Sequence, residues 1–125
     1  MNDAGRKPGL LAWQWEGYAR YHQSRANLLM HIVLVPLFLA GNVGFVVGVI
    51  RQTWIEAAAG AALMGISIAL QGRGHRGEGV PPEPFTGAAN AIARIFLEQW
   101  ITFPRFVLTG GWLRELRRSQ PARHQ

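Results

Sequence analysis

Residues 24–50, SRANLLMHIVLVPLFLAGNVGFVVGVI, decide the fold. Past Arg25 the stretch carries no charge so long as His31 is neutral, and it is long enough to cross a bilayer, which takes about 20 mostly apolar residues. Ser24 has the side chain of a helix N-cap, and Pro36 predicts a kink. Gly44 and Gly48 lie on one face, where the missing side chains let a second helix come close. One spanning helix over 24–50 is expected, with a face prepared for a partner.

The partner follows at once. Arg51, Gln52 and Thr53 read as a tight turn, and a second apolar segment covers 54–71, its AAAGAAL run suited to close packing on Gly44 and Gly48. The uncharged part of that segment, Ala57 to Leu70, is short for a full span, so it reads equally as a buried or re-entrant helix. Upstream, residues 10–22 mix Trp13, Trp15, Tyr18 and Tyr21 with Glu16 and Arg20, the pattern of an interfacial helix with its rings at headgroup depth. Residues 1–9 read as a disordered start. Downstream, 72–86 is a glycine-rich, then proline-rich loop. Over 87–118, Arg94, Glu98, Thr102 and Arg105 stack on one polar face while Ile95, Phe96, Trp100, Phe103 and Phe106 fill the rest. This is amphipathic helix, interrupted near Pro104, and 119–125 is a basic tail. The fold class is all-α: a single domain built as a membrane helical hairpin flanked by interfacial amphipathic helices.

Composition narrows the partners. The formal net charge is +6, and Lys7 is the only lysine among the 13 cations. That balance suits anionic lipid headgroups, and no motif of a nucleic-acid-binding module is present, so no nucleic-acid partner is expected. The absence of cysteine excludes disulfides and thiolate metal sites. A secretory signal is not expected either, because the apolar run starts far from Met1 and is too long. Arg6, Lys7, Arg20 and Arg25 precede the hairpin, Arg73 and Arg76 follow it, and Arg51 alone lies in its turn. By the positive-inside rule the protein is multi-pass with both termini cytoplasmic. Gly44 and Gly48 also offer a contact for a homo-oligomer.

Two histidines stand at the head of the apolar run. In one unbroken helix His22 and His31 would be about 13 Å apart along the axis and on opposite faces. A shared site therefore requires a break between His22 and Asn27, for which Ser24 is the natural new N-cap. Asn27 and His31, at i and i+4, share a face. Gln71, His75 and Glu78 are spaced to share a face at the far end of the second segment, although their glycine neighbours predict fraying. The hairpin returns both groups to one membrane face. Three imidazoles and a carboxylate with amide neighbours suit a first-row divalent metal. Simpler readings also exist. An imidazole near an interface is often only amphipathic, Asn27 reads as a cap, Gln71 as a helix end and Glu78 as a solvated loop carboxylate.

The pattern His22-x4-Asn27-x3-His31-x4-Pro36, followed by Gln71-x2-Gly74-His75 and a nearby glutamate, resembles the 2-hydroxy fatty acid dioxygenase family, small multi-pass membrane proteins of fatty-acid α-oxidation. The chain looks like a short version, with one hairpin between the motifs and with Glu78 three positions after His75 where the family usually places its acid four after. The resemblance implies a catalytic iron(II) centre on His22, His31, His75 and Glu78, with Asn27 and Gln71 supporting it. It implies a 2-hydroxy fatty acid and dioxygen as substrates, membrane lipid as surroundings, and a product one carbon shorter. Arg25, Arg73 or Arg76 is expected to hold the substrate carboxylate through its bidentate fork. The alternatives are a non-catalytic membrane protein that oligomerises and offers a basic cytoplasmic face to lipid or a partner, and a soluble helical bundle.

Overall fold

The structure, a computed structural model, describes residues 9–119. Every regular element in them is helical. Helix α1 spans Leu10–Gly17, a 3-10 turn covers Ala19–Tyr21, α2 spans Arg25–Ile50, and α3 spans Trp54–Arg76. After a connector, α4 spans Ala88–Leu97 and passes through a π turn, Glu98–Thr102, into α5, Phe103–Leu108; α6 spans Gly111–Arg118. The expected disordered start and basic tail lie, except for Gly9 and Ser119, outside the described residues.

Helices α2 and α3 form the expected hairpin. The turn between them is closed by two bonds that end α2, from the Gln52 N–H to the Val49 carbonyl at 3.1 Å and from the Thr53 N–H to the Gly48 carbonyl at 2.8 Å. Gln52 takes the left-handed conformation this ending requires, with φ 58°. The two backbones touch. A Cβ on Gly48 would collide with the Ala57 backbone, one on Gly60 with the Phe45 amide nitrogen, and one on Gly41 would lie 2.7 Å from the Gly60 carbonyl oxygen. Of the two glycines expected to serve the hairpin and a second copy, Gly48 is thus occupied within one chain, while a Cβ on Gly44 would meet only the Gly60 Cα at 3.9 Å. Such approach is open only to residues without side chains.

Several boundaries differ from expectation. The helix expected over 10–22 ends at Gly17 and gives way to the 3-10 turn, and Tyr18 is buried rather than at headgroup depth. The second hairpin arm continues past Gln71 to Arg76, through Gly72 and Gly74, so the loop begins later than residue 72. Gly74 is needed there because a Cβ would strike the Asn27 side-chain oxygen. The amphipathic stretch 87–118 is three helices with a π turn. Pro104, lacking an N–H and crowding the Trp100 carbonyl four residues back, makes the preceding turn widen.

Helices α1, α5 and α6 pack onto the first half of α2. Their common core is Tyr18, Leu28, Val35, Phe103 and Phe106, with Trp15, Trp112 and Leu116 against it. The Trp112 indole N–H donates to the Leu28 carbonyl at 2.9 Å. This end of the hairpin is therefore thick, and it holds the polar groups.

Gly60→Ala is expected to destabilise the hairpin by about 1–3 kcal/mol, the usual range for overpacking. Gly65→Ala, where a Cβ meets nothing within 4 Å, is expected to stabilise it by about 1 kcal/mol through helix propensity. Thermal unfolding in mild detergent measures both, and equal midpoints would rule out backbone contact as the reason for Gly60.

Candidate metal centre

The break at His22–Ser24 makes the site. His22 ends the 3-10 turn with φ −131° and ψ 59°, and Ser24 caps α2 by accepting from the Asn27 N–H at 3.3 Å. A new helix axis starts there, so His31, in the second turn of α2, comes round to face His22. His75 arrives from the last turn of α3.

The three imidazoles form a nearly equilateral group. Ring centroids are 5.0 Å apart for His22 and His31, 4.8 Å for His22 and His75, and 4.9 Å for His31 and His75, each pair edge to face. The fourth member is Glu98, the first residue of the π turn. Its Oε2 lies 3.4 Å from His22 Nε2 and 3.7 Å from His31 Nε2. One donor atom from each of His22, His31, His75 and Glu98 falls within 4.8 Å of every other, a spacing at which one ion can take all four.

The surroundings fix how the donors are presented. His22 Nδ1–H donates to the Tyr18 carbonyl at 2.7 Å, and His31 Nδ1–H donates to the Asn27 carbonyl at 3.0 Å. These bonds hold both rings in the tautomer whose Nε2 lone pair points inward, the usual support of a metal-ligating histidine. Tyr18 also stacks on His22, with centroids 3.9 Å apart, and its hydroxyl donates to Glu98 Oε2 at 2.6 Å. Burial, then the charge and hydrogen bond of Glu98, push the Tyr18 phenol well above its ordinary pKa, so it remains a donor. Burial works to raise the Glu98 carboxyl, but His22, whose Nε2 stands 3.4 Å away, and the adjacent His31 and His75 outweigh it and hold the group down at about 2. The carboxylate is ionised at neutral pH.

The residues fit a metal. His22 Nε2, His31 Nε2 and His75 Nδ1 are buried without a hydrogen-bond partner, and each such atom costs about 1–3 kcal/mol unless something meets it. Nitrogen and carboxylate donors without thiolate suit a first-row divalent ion.

Of the residues expected at the site, His22, His31 and His75 meet, and Glu78 does not join them. Its carboxylate accepts from the Gln23 N–H at 2.9 Å, from the Ser24 N–H at 3.0 Å and from the Asn27 amide at 2.7 Å. A negative charge at the N-terminus of α2 complements the helix dipole, so Glu78 secures the break that orients His22 and His31. Asn27 supports the site through its carbonyl. Gln71 exchanges two bonds with Gln99, at 2.9 and 2.8 Å, and donates to Ser67 Oγ, which in turn bonds the Leu34 carbonyl. That chain docks the π turn against α2 and α3.

Glu98, Gln99 and Tyr18 were not expected here. The trace of Glu98 in the sequence is its polar row with Arg94 and Thr102, which faces inward: Thr102 is fully buried and bonds Gln14, whose amide donates to the Arg94 carbonyl.

His22, His75 and Glu98, but not His31, open onto a cavity of about 540 Å³ between α1, α3, α4 and the connector. Trp13, Tyr21, Ile68, Phe85 and Ile95 give it apolar walls, and Arg20 and Arg94 are its cations. Arg25, Arg73 and Arg76 do not line it. Arg25 donates to the Leu116 carbonyl, and the other two are exposed. Arg94 clamps the connector, donating to the Glu83 and Pro84 carbonyls at 2.9 and 3.1 Å, with Phe85 4.5 Å over its guanidinium.

Glu98→Ala is expected to abolish tight divalent-metal binding, whereas Glu78→Ala removes no donor and is expected to weaken binding less, through the joint that orients His22 and His31. The second variant also loses about 1–3 kcal/mol of stability by stranding N–H groups. Calorimetric titration with cobalt(II), paired with thermal unfolding, separates the two effects; equal loss of metal in both variants would contradict the assignment of Glu98.

No family model, curated protein or solved structure matches this chain, so the reading of the centre rests on its own geometry.

Proposed function

We propose that the protein is an iron(II)-dependent dioxygenase of the membrane that shortens 2-hydroxy fatty acids by one carbon. The observation that carries this reading is a cluster of three unpartnered imidazole nitrogens and one carboxylate, three of whose four residues line a mostly apolar cavity. Imidazole and carboxylate donors without thiolate are the ligand types of non-haem iron(II) oxygenases, and His22, His31, His75 and Glu98 would hold such an ion. The likeness of the two histidine motifs to the 2-hydroxy fatty acid dioxygenase family is what names the substrate. His22, His31, His75 and Glu98 would hold iron(II), which would supply the redox chemistry by which one dioxygen converts a 2-hydroxy acid to the next shorter acid, carbon dioxide and water.

The chain's own residues do the rest. The Tyr18 and Asn27 carbonyls hold His22 and His31 in the ligating tautomer. The Tyr18 hydroxyl fixes the Glu98 carboxylate. Trp13, Tyr21, Ile68 and Ile95 receive the acyl chain, and the segment clamped by Arg94 shields the cavity from water.

The membrane reading rests on an inverted surface. Helices α2 and α3 are long and apolar enough to cross a bilayer, and only 28% and 22% of their apolar windows is buried. Leu29, Val33, Leu37, Val46, Ile55 and Ile66 face outward, while Asn27, His31, Ser67 and Gln71 face inward. A soluble core helix has the opposite disposition. With the positive-inside rule, both chain ends lie on the cytoplasmic side and the Arg51 turn on the other.

Protein purified anaerobically in mild detergent is expected to hold close to one iron per chain, and His22→Ala, His31→Ala or His75→Ala to lose most of it. Supplied with dioxygen and a long-chain 2-hydroxy acid, the iron-loaded protein should release the acid one carbon shorter. Zinc retained in place of iron, or no shortened product across chain lengths, overturns the reading. Reporter fusions after residue 125 and within the Arg51–Thr53 turn are expected to report opposite sides of the membrane; the same side for both would exclude a spanning hairpin.

A further inference from the structure

We infer that Gly72 determines which substrates the cavity admits, by leaving open the path along which an acyl chain leaves the metal centre. This inference rests on the proposed reaction for the identity of the acid.

The metal donors are closed on one side and open on the other. His31 is fully buried and does not line the cavity, whereas His22, His75 and Glu98 do. An acid whose head group reaches the centre must therefore carry its chain out past those three residues. On α3 the cavity is lined by Ile68, Gln71, Gly72 and His75, and Ile68, Gly72 and His75 follow one another at i, i+4 and i+7 on one helix face. Gly72 sits about 4.5 Å along the axis from His75, so it flanks the first carbons beyond the head group.

At that place a side chain has been omitted without any neighbour requiring it. A Cβ on Gly72 would meet nothing within 4 Å, unlike Gly74 two residues on, where a Cβ would strike Asn27. Glycine in the body of a helix is unfavourable relative to almost any other residue. Packing therefore explains Gly74 and leaves Gly72 unexplained. Gly72 is exposed and lines the cavity, so a branched side chain there would take up space at the cavity wall next to His75.

The test uses Gly72→Leu, which improves helix propensity and replaces no metal donor. Ala59→Leu, on an exposed part of α3 outside the cavity, is the control for added bulk. Iron-loaded full-length protein, kept free of dioxygen, is titrated with 2-hydroxypalmitate and with lactate, which carries the same head on a single methyl group. Gly72→Leu is expected to weaken 2-hydroxypalmitate binding by about tenfold or more, with lactate affinity and iron content as in the wild type. Ala59→Leu should match the wild type throughout. Unchanged 2-hydroxypalmitate affinity in Gly72→Leu overturns the inference, and so does a parallel loss of lactate binding or of iron, which would place the effect at the centre. Admitting dioxygen then separates the two proposals. If the binding pattern holds and no shortened acid forms, the reaction fails and the role of Gly72 stands; if wild type and Gly72→Leu both yield product at one rate, the reaction stands and Gly72 does not select.

Discussion

The contact on which the site depends is the Glu78 carboxylate at the start of α2. It accepts the Gln23 and Ser24 N–H groups and the Asn27 amide, three donors that a chain break would otherwise leave without partners. Backbone N–H groups must be met when they are removed from water. By meeting them, Glu78 makes a non-helical joint affordable immediately before an apolar helix. Without that joint His22 and His31 would point to opposite sides of one helix. The same contact draws the chain leaving α3 onto the start of α2, which fixes the relative depth of His75.

This end of the hairpin buries polar groups beside its apolar core, so those groups must satisfy one another. They do so in short chains: Leu34 carbonyl, Ser67, Gln71 and Gln99 in one, Thr102, Gln14 and the Arg94 carbonyl in another. Against that background the exceptions stand out. Among the described residues, the buried side-chain atoms left without a partner are His22 Nε2, His31 Nε2, His75 Nδ1 and Asn27 Oδ1. Three of the four belong to the cluster that can hold an ion. An ion there would remove the penalty of unmet polar groups and couple folding to metal.

The π turn carries the remaining donor. An ordinary helix would have continued the register of α4 through Thr102. Pro104 widens the turn before it, and within that turn Glu98 reaches the imidazoles while the adjacent Gln99 pairs with Gln71. Turns of this type recur at functional sites because they present neighbouring residues in directions a regular helix does not.

Much of this was legible from sequence because it depends on local rules. Length and apolarity between Leu28 and Ile50 determine a long helix, Gly48 and Gly60 determine that the helices pack backbone to backbone, and Ser24 marks the joint. Those features by themselves place His22, His31 and His75 at one end of a hairpin. What only the tertiary structure decided is which carboxylate completes the group. Glu78 is near His75 in sequence, yet it is consumed by the open end of α2, where three donors compete for it. Glu98 is far from every histidine in the chain and lies in a polar row that reads as a solvated face. It reaches the centre because α1 and the Gln71–Gln99 pair dock the π turn inward, and long-range docking leaves no periodicity in the sequence to read.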